Sequence, residues 1–223
     1  MPPGAAVHAF VIALTARLTG QRGNAISPRM ENIRSLCVYC GSSGRVDPAF
    51  KQLARAVGER LAKAGIELVY GGGKVGLMGE AADAALSAGG KVTGIIPRHL
   101  MRLEVGHGGA TELIVVETMH ERKMIMAERS DGFIVLPGGL GTLDETFEIA
   151  TWRQLKLHSK PIIIIDAKGY WAPLRAMVDH MIAEGFVSEQ HRALLRFVPD
   201  IDTAFAALAE APEPIPGPEV KWQ

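Results

Sequence analysis

Residues 67–80 have the sequence ELVYGGGKVGLMGE, and this stretch indicates the fold of the chain. It begins with a short stretch, Glu67–Tyr70, that we predict to be a buried strand, and a helical pattern then extends from Leu77 to Ala88. Between the two lies the glycine-rich turn Gly71-Gly72-Gly73-Lys74-Val75-Gly76. A strand, a glycine-rich turn and a helix in this order are the building block of a parallel α/β sheet.

The same alternation recurs through most of the chain. Further strands are predicted at 35–39, 91–96, 112–116, 132–136 and 162–165. Further helices are predicted at 48–64, 119–130 and about 143–157, with others nearer the C-terminus. Because strands that alternate with helices pair in parallel, we expect a single α/β domain. Its fold should be Rossmann-like, with a doubly wound parallel sheet in three layers.

This domain is predicted to span residues 33–211, between an N-terminal extension (1–32) and a proline-rich tail (212–223). The extension contains a short apolar run at 5–14 that resembles the central part of a signal peptide. No Lys or Arg precedes that run and no persuasive cleavage site follows it, so we interpret the extension as an extra amphipathic helix or a loose segment. No stretch is long enough to cross a membrane as a helix, and we expect a cytoplasmic protein.

Charge and cysteine content narrow the class of protein. Lys+Arg and Asp+Glu each number 24, so the formal net charge is +0, which argues against nucleic acid as a partner. The two cysteines, Cys37 and Cys40, are too few for a disulfide framework and favour a reducing compartment. Residues three apart on a strand point to opposite faces, and a structural zinc ion needs four ligands. We therefore expect both cysteines to be inert packing residues.

Three glycine-rich turns each follow a predicted strand, at 41–44, 71–76 and 138–141. The carboxyl ends of parallel strands meet at one edge of a sheet, so these turns should open onto one site. Backbone N–H groups and helix N-termini that converge there favour an anion, and phosphate is the usual one. The alternative is that the glycines only form turns.

The second of these turns also matches the dinucleotide-binding fingerprint, as Gly71-x-Gly73-x-x-Gly76. The next strand ends in Ile95-Ile96-Pro97-Arg98 and supplies no acid for a ribose 2′-hydroxyl, although Arg98 would suit a 2′-phosphate. A dinucleotide-dependent dehydrogenase is therefore the weaker interpretation. A P-loop is excluded, because Gly-Lys-Ser/Thr is absent.

Two Thr-x-x-Glu pairs precede helical segments and fit capping boxes: Thr118 with Glu121, and Thr142 with Glu145. A purely structural role is thus available to each glutamate. The flanking glycines of the second pair would still place Glu145 beside whatever their amides bind.

The dipeptide Arg122-Lys123 lies near the start of a predicted helix, where two cations oppose the helix dipole. A bound phosphate or carboxylate would compensate for this. We therefore interpret the dipeptide as a ligand clamp, with a pair of solvated surface cations as the alternative.

The segment Pro137-Gly138-Gly139-x-Gly141-Thr142-x-x-Glu145, preceded by Met119-His120-Glu121-Arg122-Lys123, resembles the LOG ("Lonely guy") family. The segments at 40–43 and 71–79 match as well, and the similarity extends from about residue 33 to residue 200. Members of this family are cytokinin riboside 5′-monophosphate phosphoribohydrolases, long labelled lysine decarboxylases. Nothing here marks the Schiff-base lysine and pyridinium partner that a pyridoxal-dependent decarboxylase needs.

The resemblance implies a set of site residues. Arg122 and Glu145 would be the catalytic pair. The substrate contacts would include these two and Glu104, Lys123, Gly139, Leu140, Gly141, Thr142, Leu143, Asp144 and Thr151. The other glycine-rich turns add Gly41, Ser42, Gly72 and Gly73 as candidates. The resemblance also implies a homodimer with the site at or near the interface, and neither a metal nor an organic cofactor is needed.

The implied reaction is hydrolysis of the N-glycosidic bond of a nucleoside 5′-monophosphate to free base and ribose 5-phosphate. Such cleavage passes through a cation-like ribose, which a carboxylate such as Glu145 can stabilise. Gly139, Gly141 and Thr142 would hold the 5′-phosphate, and Arg122 would fix the pose. Two alternatives stay open: a general AMP or purine nucleotide nucleosidase, and a nucleotide-binding or carrier module without turnover.

Overall fold

The computed structural model describes residues 33–101 and 106–210. The predictions for the N-terminal extension and the proline-rich tail fall outside these residues. The strands are β1 (Ser35–Tyr39), β2 (Glu67–Tyr70), β3 (Val92–Pro97), β4 (Glu112–Val116), β5 (Gly132–Val135), β6 (Ile162–Ile165) and β7 (Arg196–Val198). The α-helices are α1 (Pro48–Lys63), α2 (Gly76–Ser87), α3 (Met119–Glu128), α4 (Leu140–Gln154), α5 (Ala172–Ala183) and α6 (Ile201–Ala209).

The strands form one sheet in the order β4-β3-β2-β1-β5-β6-β7, and all neighbours pair in parallel. The chain builds outward from β1 to β4, returns to place β5 on the other side of β1, and then builds outward again. This topology confirms the predicted doubly wound α/β fold. In such sheets ligands bind beyond the carboxyl ends of the strands where the order reverses, here between β1 and β5.

Two apolar cores cover the sheet, one on each face. Alternate residues of β1 divide between them: Leu36 and Val38 pack with α1, α2 and α6, whereas Cys37 and Tyr39 pack with α3, α4 and α5. Cys40 belongs to the first core and Cys37 to the second, so the two thiols lie on opposite faces, as predicted. Burial above all, and then the negative charge of Glu145, raises the pKa of the Cys37 thiol well above its ordinary value. A protonated, buried thiol is an inert packing group.

Local signals mark several element boundaries. Asp47 caps α1, with its Oδ1 accepting the Ala49 N–H at 2.8 Å, and Pro48 occupies the first helical position. Gly65 follows this helix with a φ of +68°, a left-handed conformation that glycine adopts without strain. No helix in the described part of the chain is long and apolar enough to cross a membrane.

The largest differences from the sequence-based predictions concern two elements. Helix α4 begins at Leu140, three residues before the predicted start, and this shift bears on the site described below. Strand β7 was not predicted, because its three residues are too few to show a period-two pattern. It pairs with β6 at the edge of the sheet.

Candidate active site

The three glycine-rich turns meet at the carboxyl edge of the sheet. The Gly41 N–H donates to the Pro137 carbonyl at 3.1 Å, and the Leu77 N–H donates to the Gly41 carbonyl at 2.9 Å. A Cβ on Gly41 would lie 3.3 Å from the Cα of Gly138. The turns after β1, β2 and β5 are therefore in direct backbone contact, and small residues permit this approach.

The turn after β5 leaves space beside two of its glycines. A Cβ on Gly139 or on Gly141 would meet no atom within 4 Å. Gly139 is the N-cap of α4, no side chain caps the helix, and the first helical hydrogen bond runs from the Leu143 N–H to the Gly139 carbonyl at 3.1 Å. The N–H groups of Leu140, Gly141 and Thr142 precede that bond and have no acceptor within the helix. This helix terminus has the donors and the dipole that bind an anion.

The predicted capping box of Thr142 with Glu145 is wrong. Because Gly139 is the N-cap, Thr142 lies within the first turn, where its side chain is buried, and Glu145 lies farther along the helix. The sequence rule expects a side-chain cap, whereas here an extended glycine begins the helix without one. The structural explanation for Glu145 as a capping residue is thereby removed.

The capping box predicted at the start of α3 is confirmed. Thr118 accepts the Glu121 N–H at 3.1 Å, and Glu121 Oε2 accepts the Thr118 N–H at 3.1 Å. Glu121 therefore caps the helix, and the next residue, Arg122, points inward.

Arg122 and Glu145 form a nearly buried ion pair beside the open end of α4. Arg122 Nη2 lies 3.8 Å from Glu145 Oε1, and the two side chains are 6% and 11% exposed. A Cβ on Gly71 would lie 1.9 Å from that same Nη2. The guanidinium therefore occupies the space that a side chain at position 71 would need, so the turn after β2 makes room for it.

Lys123 is also buried and binds two carboxylates of α4. Its Nζ lies 3.1 Å from Glu148 Oε1 and 3.2 Å from Asp144 Oδ2. Burial disfavours the charged ammonium, but the bonds to Glu148 and then to Asp144 outweigh it and raise the pKa of Lys123. The alternative of two solvated surface cations at positions 122 and 123 is wrong, since both side chains are buried.

The remaining predicted residues lie in the turns after β1 and β2, at position 104, or along α4. Gly41 contacts Gly138 of the β5 turn, and both Gly41 and Ser42 pack against Gly76. Gly72 and Gly73 contact the segment that begins at residue 106: the Gly72 carbonyl accepts the His107 N–H at 2.9 Å, and Gly73 forms a β-bridge with Gly106. Glu104 lies outside the described residues.

Leu140, Leu143 and Thr151 lie along α4. Leu140 is 86% exposed at its open end and Leu143 is half-buried. Thr151 is exposed, and its hydroxyl donates to the Phe147 carbonyl at 2.7 Å. At 1.5 Å per residue, Thr151 lies about 13 Å along the helix from Thr142, so the structure does not bring it to the turn of its own chain.

Comparison with known proteins identifies the family. The family model described as "Possible lysine decarboxylase" matches residues 78–208. A cytokinin riboside 5′-monophosphate phosphoribohydrolase of Rhodococcoides fascians is 43% identical over 176 residues, which are 78% of this chain and 89% of that protein. The cytokinin riboside 5′-monophosphate phosphoribohydrolase LOG of Oryza sativa subsp. japonica is 40% identical over 192 residues, which are 86% of this chain and 78% of that protein. This chain belongs to the LOG family.

Solved structures more distant than these relatives share the fold. The molybdenum cofactor carrier protein of Chlamydomonas reinhardtii superposes with a TM-score of 0.59 at 21% identity, covering 78% of this LOG-family chain and 94% of the carrier. The molybdenum cofactor binding protein of Rippkaea orientalis gives the same TM-score and identity. These likenesses concern the Rossmann-like architecture alone.

One residue beside the site of this LOG-family chain was missed by the sequence analysis. Tyr170 follows β6, and its Oη donates to the Gly138 carbonyl at 2.7 Å. Its position after a predicted strand was the available signal, because β6 neighbours β5 and their carboxyl ends lie together. In the described part of the chain, no three His, Cys, Asp or Glu side chains form a cluster suited to a metal ion.

Proposed function

We propose that this protein hydrolyses the N-glycosidic bond of cytokinin riboside 5′-monophosphates and releases the free base and ribose 5-phosphate. The observation that carries the proposal is the Arg122–Glu145 pair, 3.8 Å apart, beside the uncapped N-terminus of α4. The curated relatives at 43% and 40% identity carry the name of this activity.

The open end of α4 is the proposed phosphate site. Gly139 and Gly141 present backbone without side chains, and the N–H groups of Leu140, Gly141 and Thr142 are available as donors. A 5′-phosphate placed here would gain these hydrogen bonds together with the helix dipole.

Glu145 is the proposed catalytic carboxylate. Its side chain is 11% exposed, so its charge is little screened by water and would act on the cation-like ribose of the transition state. Arg122 holds this carboxylate in a fixed planar geometry that lysine lacks, and would in the same way fix the pose of the substrate. A module that only binds nucleotides needs no carboxylate near the phosphate, and this observation favours the enzyme.

A homodimer is proposed as the working unit. Thr151, a substrate contact that the resemblance implies, lies about 13 Å along α4 from Thr142 and thus beyond the phosphate-binding turn of its own chain. In a dimer, a second copy of the chain would bring Thr151 to the phosphate site of its neighbour.

A cytoplasmic location is proposed from the cysteine content, because the chain has two cysteines, too few for a disulfide framework.

The test is a panel of substrates assayed for released base by chromatography. It compares isopentenyladenosine 5′-monophosphate, AMP and the two matching nucleosides. We expect each monophosphate to be favoured over its nucleoside by about a hundredfold or more in kcat/KM, because binding of the phosphate positions the ribose. A higher rate on AMP than on the prenylated nucleotide would identify a general purine nucleotide nucleosidase. Equal rates on monophosphate and nucleoside would contradict the phosphate site.

A further inference from the structure

The connection from β6 to α5, residues 166–171, crosses the carboxyl edge of the sheet and contacts the turn that forms the proposed phosphate site. Its Tyr170 Oη donates to the Gly138 carbonyl oxygen at 2.7 Å. Gly138 comes directly before Gly139, the N-cap of α4. None of the roles assigned above uses this contact.

The connection is anchored on both sides of Tyr170. The tyrosine ring packs edge-on against Trp171 at 4.8 Å and against Phe50 of α1 at 5.5 Å between centroids. Lys168 lies in the left-handed region with φ +58°, a conformation that costs a residue other than glycine free energy, and its Nζ binds Asp47 Oδ2 at 2.5 Å. These contacts hold the hydroxyl in place over the Gly138 carbonyl.

The hydrogen bond acts on one particular peptide group. The C=O of Gly138 and the N–H of Gly139 belong to the same planar unit, and no described peptide bond is cis. In a trans peptide these two groups point in opposite directions, so fixing the carbonyl toward Tyr170 fixes the Gly139 N–H on the other side. Glycines flank this peptide on both sides, and without a Cβ they restrict its rotation least.

We propose that Tyr170 is a positioning residue for the phosphate site: it holds the Gly138–Gly139 peptide so that the Gly139 N–H stays available to the 5′-phosphate. This proposal rests on the function proposed above. Tyr170 touches the turn and acts through it.

The variant Tyr170→Phe tests this, because it removes the hydroxyl and keeps the ring packing. We expect KM for the monophosphate to rise roughly three- to tenfold, the effect of losing one hydrogen bond, with kcat changed less than twofold. The kcat/KM for the matching nucleoside should stay the same, because it carries no phosphate. The matched control is Phe50→Leu, which loosens the ring cluster and keeps the hydroxyl. It should lower the melting temperature more than Tyr170→Phe and change the ratio of monophosphate to nucleoside less.

Calorimetric titration with ribose 5-phosphate separates this proposal from the proposed function. Binding that is roughly three- to tenfold weaker in Tyr170→Phe than in the wild-type protein supports the role of Tyr170, whether or not any nucleotide is cleaved. Equal binding and equal KM in the two proteins would overturn it and leave the hydrolase proposal intact. Absence of ribose 5-phosphate binding by the wild-type protein would overturn the phosphate site and with it the role of Tyr170, whereas the base-release assay decides the hydrolase proposal.

Discussion

Arg122 shows how one residue links three parts of the site. Arg122 lies on the buried side of α3, and its guanidinium pairs with Glu145 of α4. Gly71, in the turn after β2, leaves the space that the guanidinium fills. The spacing of these residues in the sequence gives no sign of that fit. The sequence predicted an anion site from its glycines, and the Arg122–Glu145 pair itself came from the family resemblance.

Replacing Glu145 by Gln should remove nearly all turnover, by about a hundredfold or more, and preserve the fold and nucleotide binding. The shape of the side chain is retained while the charge that stabilises the cation-like ribose is lost. Since Gly139 and not Thr142 caps the helix, no loss of a cap is expected in the melting temperature. The control is Glu128→Gln, which removes an exposed charge on α3. Turnover of Glu145→Gln within a few-fold of the wild-type rate would contradict the catalytic role.

Replacing Gly71 by Ala should lower kcat/KM by roughly ten- to a hundredfold. The added methyl would lie 1.9 Å from Arg122 Nη2, so the guanidinium must move away from its position beside Glu145. Misplacement of a positioning group by about 1 Å costs a factor of this size. Gly108→Ala is the control, since a Cβ there meets no atom within 4 Å. Unchanged kinetics in Gly71→Ala would show that the exact place of the guanidinium is unimportant.

At the scale of secondary structure, the accuracy of prediction followed the strength of the local signal. The strands at 35–39, 67–70, 112–116 and 162–165 were predicted with their observed bounds, because β-branched runs between turn residues are distinctive. Helix α1 was marked by Asp47 and Pro48. The start of α4 was misplaced, because an extended glycine cap gives no side-chain signal and Thr142 offered a false one.

The segment after α4 carries a testable dependence on pH. His158 Nε2 donates to the Ile149 carbonyl at 2.9 Å and Nδ1 accepts the Lys160 N–H at 3.1 Å, an arrangement that requires the neutral ring. Burial first, and then the charges of Lys160 and Arg153, lower the pKa of His158 to about 4. In the unfolded chain the imidazole titrates near 6.5, so between about pH 6.5 and pH 4 the unfolded state binds the additional proton.

The free energy of unfolding should therefore fall as the pH decreases from about 6.5 to about 4, and His158→Gln should reduce this slope. Denaturant unfolding at a series of pH values measures both proteins. His191→Gln, which removes another histidine, is the control. Parallel pH profiles for wild-type and His158→Gln would show that His158 does not contribute.

At the scale of the whole molecule, the reversal of strand order between β1 and β5 determines where the site lies, and the side chains determine what it does. The carrier proteins have the same architecture at 21% identity, so the fold alone does not distinguish an enzyme from a carrier. The composition and the strand pattern were enough to predict this architecture. They could not show how two copies would combine, because that depends on surfaces which no periodic signal marks.

The proposed dimer leads to a prediction about mixed subunits. Suppose that each site combines Glu145 and the phosphate site of one chain with Thr151 of the other. A heterodimer of a Glu145→Gln chain and a Thr151→Glu chain then contains one damaged site and one intact site. In the intact site, Glu145 comes from the Thr151→Glu chain and Thr151 from the Glu145→Gln chain. We expect each variant homodimer to be impaired, Thr151→Glu because its new carboxylate repels the nucleotide, and the heterodimer to recover about half of the wild-type rate.

The measurement uses differently tagged chains that are co-expressed and purified through both tags, followed by the base-release assay. The heterodimer isolates the geometry because the same two substitutions are present whichever way the sites are built. If Thr151 contacted the substrate bound by its own chain, one site would lack Glu145 and the other would carry the added carboxylate. The heterodimer would then be as impaired as the two variant homodimers. Full activity of the Thr151→Glu homodimer would instead show that Thr151 contacts no substrate at all, and α4 would then contribute to the site only through its N-terminal turns.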